Sequence, residues 1–511
     1  MVKTRTQKAA LNTATATISE VVMLICGLIL PRLILANFGS EYNGITSSAK
    51  QFLSAISILN VGVAGATRVA LYKTLAANDI EASSAIVKAT ENYMRKVGLV
   101  LAAYIIILSI VYPVCINTGY EFFDVAILII AAGIGTFGQY FFGTAYTAFL
   151  SADQCVYITN VFTIIATILN TVVSVFLIQI GCSIQVVKLG GAFVLFLKPL
   201  LQNIYVTRRY KINKKCKPDD NALVMRKDVM AHSIANIVHD NTDMIVLTIF
   251  CNVKIVSVYT VYNLVMGALK KTQQVFTTGT EAVFGSMWAK GEADKIRLNL
   301  GYYEWFVTFF VSVVFSTTLI MILPFISLYT KGVTDTEYIL PSYAIVITLA
   351  QAWYCLRSPY LTLVQGAGQY KQTKTGAYFE AGINLTISIV LVQFVGIVGV
   401  ALGTMAANIF RTIQYAIYID DHIIKRGKTV FIKKIIWAMM NVIVIAACMF
   451  VILQKHTTKG WIDWILAAIL CTLFSILFTL ISSFVFYRKD MRGFTEIVKR
   501  LAYRRFDKTS N

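Results

Sequence analysis

The chain has 511 residues, 57% hydrophobic and only 14% charged, with a net charge of +20. Soluble domains carry about 25% charged residues, so this composition excludes a string of soluble domains, and with it a disordered chain, a coiled coil and a secreted disulfide scaffold. At about 20 residues per span, the apolar content fits an all-α polytopic membrane protein of about 14 transmembrane helices.

In chain order the spans are expected near 11–36, 42–74, 97–116, 123–150, 155–181, 184–206, 229–251, 255–288, 303–329, 339–366, 376–395, 397–419, 435–454 and 461–486. The runs are continuous rather than alternating, which argues against a β-barrel. Three basic residues precede the first apolar run and no A-x-A-type cleavage site follows, so that run is expected to be a retained span. The nine cysteines are scattered without a C-x-x-C pair and read as packing residues. The four histidines show no metal spacing.

Lys and Arg set the topology. With the N-terminus inside, 33 of the 46 fall on the side shared by both termini, four on the opposite side and nine within spans. Both termini are therefore expected in the cytoplasm. Two basic clusters lie on that side. One is Arg208, Arg209, Lys211, Lys214, Lys215 and Lys217. The other is the tail, where Met491, Phe494, Val498 and Leu501 share a helical face flanked by Arg492, Lys499, Arg500, Arg504 and Arg505. A basic amphipathic helix of this kind lies on an anionic inner leaflet. A soluble partner is the alternative. On the opposite side the longest loop, 330–338, is too short to form a domain.

The chain also repeats itself. Asn170, Ser174, Leu177 and Gln179 match Asn384, Ser388, Leu391 and Gln393 at one offset of 214 residues. Spans one to six and seven to twelve then form two parallel, pseudo-symmetric six-helix lobes, with spans thirteen and fourteen appended. Transporters built this way place the substrate between repeats.

The nine basic residues within spans are Arg32, Lys50, Arg68, Lys188, Lys198, Lys270, Lys271, Arg357 and Arg411. Each costs about 2.5–3.5 kcal/mol at a helix centre. Lys188 and Lys198 lie near span ends, where lysine snorkels to water, and Arg411 is read in the same way. Arg32, Lys50, Arg68, Lys270 and Arg357 are deeper and read as the wall of a cationic cavity for an anion such as a phosphate. Pairing with Glu20, Glu281 or Glu380 is the plainer alternative. Pro31 and Pro359 place kinks beside two of these charges. In span seven, Asp243 follows His239 and Asp240, and its carboxylate could hold a proton or Na⁺. Asn384, Ser388 and Thr404 supply further oxygens, with interhelical hydrogen bonding as the alternative. No Walker A, nucleophile-elbow or H-E-x-x-H pattern occurs, so a transporter rather than an enzyme is expected.

The segments PRLILANFGSEYNGITSS, ILNVGVAGATR, NTDMIVLTIF, LPFISLYTKG and RSPYLTLVQGAGQYKQTKTGAYFEAGINLTISIVLVQFVGIVGVALGT resemble polysaccharide transporters of the MOP superfamily, the Wzx-type lipid-linked oligosaccharide flippases, over roughly 1–420. The resemblance implies a V-shaped, MATE-like fold and alternating access. It implies flipping of an undecaprenyl-diphosphate-linked O-antigen, capsule or exopolysaccharide unit across the bacterial inner membrane. The lobes would be 1–206 and 229–420, joined by a basic linker 207–228 and followed by 421–486 and the tail 487–511. The expected partners are the lipid-linked glycan, membrane lipids and a glycan polymerase complex, with no nucleic acid. No cofactor is expected beyond a Na⁺ or H⁺ gradient. Related lipid II flippases imply a Na⁺ site at Asp243, Asn384 and Thr404, with Val400 through its carbonyl. Ser388 stands where that pattern has an aspartate. The alternatives are a lipid II flippase, a multidrug antiporter, a glycan polymerase or ligase, and an assembly scaffold.

Overall fold

The computed structural model describes residues 4–116, 118–219, 223, 241–427, 429–453 and 460–496. Among them every regular element is helical, and ten helices are long and apolar enough to cross a membrane. The protein is thus an all-helical, multi-pass membrane protein. It divides into two compact units, Met1–Thr260 with Gly332–Thr336, and Val261–Lys331 with Glu337–Asn511. The division falls after span seven rather than before it.

The first unit opens with α1 (Arg5–Ala55), which bends at Gly39, where φ is 85°. Glycine takes that conformation without a Cβ penalty. Asp335 caps the bend: its carboxylate accepts the Ser40 amide at 2.7 Å and the Ser40 hydroxyl at 2.6 Å. The bend makes α1 both the first span and the start of the second, which continues in α2 (Ile58–Ala76). Then come α3 (Ile80–Cys115) and α4 (Phe122–Gly138). A π turn at Gln139–Gly143 leads from α4 into α5 (Thr144–Ala152). α6 (Val156–Gln179) and α7 (Ile184–Arg209) pack together. α8 (Asn241–Phe250) is the described part of span seven; His239 and Asp240 lie outside the described residues. Gln51 donates to the Asn241 side chain at 2.6 Å, which ties α8 to α1.

α9 (Val253–Ala289) begins in the first unit and runs into the second. The second unit continues with α10 (Ala293–Tyr329), α11 (Pro341–Leu356) and α12 (Ser358–Gly366). α11 and α12 are two halves of span ten, broken at Arg357 just before Pro359. Proline suits the first turn of a helix and not its interior. α13 (Tyr370–Val395), α14 (Ile397–His422), α15 (Thr429–Leu453) and α16 (Trp461–Phe486) follow. A short helix, α17, covers 488–496. Helices therefore stand at every predicted span. The ten leave out spans two, seven, eight and ten: only Asn241–Phe250 of span seven is described, span ten is broken into two short helices, and spans two, eight and ten hold Arg68, Lys270 with Lys271, and Arg357.

Lipid is the solvent for the outer faces. On α16, Ser475, Thr479 and Ser483 are fully buried, while Leu473, Leu477 and Ile481 are more than half exposed. This inverts the soluble pattern, because helices in lipid associate through small and polar side chains. Ser316 of α10 donates to Ser475 at 3.1 Å across that interface.

At one end of the second unit a buried charge network joins four elements. Arg426 grips Glu304 of α10 with both terminal nitrogens and Asp420 of α14 at 2.8 Å. Burial opposes the Arg426 charge, but the Glu304 carboxylate outweighs it and holds the guanidinium above its ordinary pKa. Lys434 of α15 pairs with Glu304 at 3.1 Å and with Asp490 of α17 at 2.8 Å. The Phe494 ring stacks on Phe306, 4.9 Å between centroids, and packs on Trp305. Phe494, on the apolar face of the tail, thus packs on α10. Val498 and Leu501 lie outside the described residues.

α13 and α14 make the closest crossing in the second unit. A Cβ added at Gly399 would lie 2.4 Å from the Leu391 carbonyl, and one at Gly403 2.2 Å from Ser388 Oγ. Backbone cannot swing aside as a side-chain tip can. Gly399→Val is expected to cost about 1–3 kcal/mol, read as a lowered Tm of the detergent-solubilised protein; an unchanged Tm would contradict this crossing.

Candidate functional site

A cavity of about 500 Å³ lies within the first unit. Four helices build it by ordinary helical periodicity. After its bend, α1 presents Thr46, Lys50 and Ser54, four residues apart and therefore on one face. α7 presents Lys188, Gly191, Leu195 and Lys198, another single stripe. α6 adds Asn170 and Ser174, and α4 with the π turn adds Thr136, Gln139 and Tyr140. π turns recur at functional sites because the extra residue re-aims the side chains around it.

Charge decides what this cavity can hold. None of the described residues lining it is acidic. Lys50 is exposed to it, and Lys188 and Lys198 stand half-buried on its wall. Lys188 lies within electrostatic range of Lys50. Among the described residues, none of the three ammonium groups has a hydrogen-bond or ion-pair partner, and neither has the Asn170 amide. The cavity is therefore a set of positive donors with neutral amide and hydroxyl groups between them.

Of the five predicted anion-binding residues, the structure brings only Lys50 to this cavity. Arg32 sits part-buried on α1 and Arg68 is exposed on α2; neither lines it. Lys270 and Arg357 belong to the second unit, where both lie over the Tyr354 ring, at 4.6 and 4.4 Å. Arg357 is also bound to Glu380 at 2.5 Å, and Arg411 reaches the other oxygen of Glu380 at 3.3 Å. For Arg357 the plainer pairing alternative is thus the arrangement found. Arg411 does not snorkel: it is buried, and it donates to the Thr373 carbonyl at 3.0 Å. Lys188 and Lys198, read from the sequence as snorkelling, line the cavity. The signal for them was the Gly190-Gly191-Ala192 run between them, since small residues mark the packed, inward face of a membrane helix.

The expected cation ligands are placed as follows. Asp243 is buried on α8 in the first unit. The others meet where α13 crosses α14. Asn384 donates to Thr404 at 3.3 Å, Ser388 reaches Asn384 Oδ1 at 3.3 Å and the Val400 carbonyl at 3.4 Å, and Thr404 donates to that carbonyl at 3.2 Å. These four residues satisfy one another. They offer only neutral oxygens, while Glu380, one turn before Asn384, is committed to two arginines. The quartet works as an interhelical clasp and by itself does not fit a Na⁺ site, which is better served by a carboxylate.

No protein-family model matches the sequence, and no curated protein matches it. Solved structures do. The chain is similar to the lipid II flippase MurJ in an inward closed conformation, with a TM-score of 0.70 at 15% identity over 92% of this chain and 98% of that one. It is similar to an inward-facing multidrug resistance MATE transporter of the MOP superfamily, with a TM-score of 0.65 at 14% identity over 88% and 100%. A Pyrococcus furiosus MOP superfamily transporter, described as having a binding pocket of reversed polarity, follows at 0.50 and 13% identity over 82% and 94%. The chain has the MOP transporter fold.

Paired and unpaired charges differ in what their removal does. Glu380→Gln strands two buried guanidinium groups and is expected to cost about 3–5 kcal/mol. Lys188→Met removes a charge that has no partner among the described residues and is expected to leave Tm unchanged or raise it. Thermal unfolding of both variants in detergent checks the contrast, and the reverse order would contradict the assignment.

Proposed function

We propose that this protein flips a polyprenyl-diphosphate-linked oligosaccharide, a repeat unit of a surface polymer, from the inner to the outer leaflet by alternating access. The observation that carries the reading is the first-unit cavity, where, among the described residues, three lysines have no partner and no acid lines the wall. Unpaired positive charge among membrane helices costs free energy and marks substrate pathways. A diphosphate, the anionic joint between lipid and glycan, is the kind of group it would receive. Lys50 and Lys188, within electrostatic range of each other, are assigned to hold it. Lys50 rather than Arg357 anchors the proposal, because Glu380 already occupies Arg357.

The fold neighbour named a lipid II flippase supports movement of a lipid-linked substrate. The neighbours named multidrug MATE transporters support a second reading, drug export. Cationic drugs would be repelled by this wall, since like charges at close range in a low-dielectric setting cost several kcal/mol. The Lys and Arg distribution places both termini on the cytoplasmic side in this reading. An ion gradient is proposed to give direction, and the α13–α14 clasp is assigned no step in it.

Proteoliposomes containing a fluorescent polyprenyl-diphosphate glycan test the reading. Wild type is expected to flip it without ATP. Lys50→Gln combined with Lys188→Gln is expected to slow flipping by about tenfold or more, the loss of one charge-assisted hydrogen bond being worth that much. Wild type that flips no such donor but exports a cationic dye would overturn the reading in favour of drug transport.

A further inference from the structure

The cavity offers its charge at two places rather than one. Lys50 and Lys188 form one pole. Lys198 stands ten residues further along α7, about 15 Å at the helical rise. The stripe Lys188, Gly191, Leu195, Lys198 keeps both lysines on the same wall, so the separation runs along the cavity rather than around it. A diphosphate is a compact dianion, shorter than this Cα separation.

Between and beside the poles the lining changes character. Asn170, Ser174, Thr136 and Gln139 are neutral hydrogen-bonding groups, and Tyr140 adds an aromatic surface. Amides, hydroxyls and one ring suit a sugar. The Asn170 amide has no partner among the described residues and is open to a ligand. Lys198 closes this stretch as a lone ammonium beside Pro199, likewise without a partner among the described residues. Had neutral sugars alone passed this point, an uncharged side chain would have served without the cost of a membrane-embedded charge.

We propose that the glycan itself carries a second negative charge, the carboxylate of a sugar acid set back from the diphosphate along the cavity, and that Lys198 selects it. This rests on the flippase reading above and narrows its substrate class. Lysine serves here as a point charge on a flexible stem, able to meet a carboxylate at more than one glycan pose.

Two fluorescent polyprenyl-diphosphate glycans differing only in one sugar, a glucuronosyl or a glucosyl residue, test it with the full-length protein in proteoliposomes. The expected result is flipping about tenfold faster for the acidic donor. That ratio should collapse toward one in Lys198→Gln and survive in Lys198→Arg, which keeps the charge. Equal wild-type rates for the two donors would overturn this inference and leave the flippase reading standing. Neither donor moving would overturn the flippase reading itself. Equal slowing of both donors in Lys198→Gln, with the ratio intact, would make Lys198 a structural residue and also overturn the inference.

Discussion

A charge placed among membrane-spanning helices must be neutralised by a partner or kept in contact with water, because hydrocarbon offers it neither dipoles nor counterions. The two units of this protein meet that demand in opposite ways. In the second unit, Glu380 joins Arg357 and Arg411, and Glu304 joins Arg426 and Lys434. Those pairs fix the broken span ten, the end of α14 and the start of α15 in place. In the first unit, Lys50, Lys188 and Lys198 share a cavity with no acid among the described residues that line it. The paired charges hold the fold, and the lysines without a partner among the described residues are the proposed place for an anion.

The internal repeat sharpens the contrast. Gly191 stands against Asn170 and Ser174 much as Gly403 stands against Asn384 and Ser388. The same helix crossing is thus made twice. In the second unit Ser388 and Asn384 close on Val400 and Thr404, and the crossing becomes a clasp. In the first, Asn170 and Ser174 open onto the cavity beside the lysines of α7. One packing solution closes into a clasp in one copy and lines a cavity in the other.

Much of the fold was legible in the sequence, because the signals involved are local. Apolar run length gave the spans, Pro359 marked the break in span ten, and the Asn-x₃-Ser pattern marked the repeat. The site was less legible, because pairing is a tertiary fact. Nothing near Arg357 in the chain announces that Glu380, 23 residues on, will face it. Depth along a span was a poor guide as well. Lys188 lies only four residues inside α7 and was read as snorkelling, yet the Gly-Gly-Ala face turns it inward. The tail makes a related point. An amphipathic face can pack on protein as well as on a leaflet, and Phe494 packs on Trp305 and Phe306.

The central claim is that the first-unit cavity is aqueous and positive. It is tested most directly by reporter cysteines at Asn170 and Thr136, placed on its wall in a cysteine-free background with all three lysines intact. Thiol reagents of matched size and opposite charge would then be compared. The expected result is that both positions react and that the anionic reagent reacts faster than the cationic one, with the difference shrinking as salt rises. No reaction at either position, or equal rates for the two reagents at low salt, would contradict it.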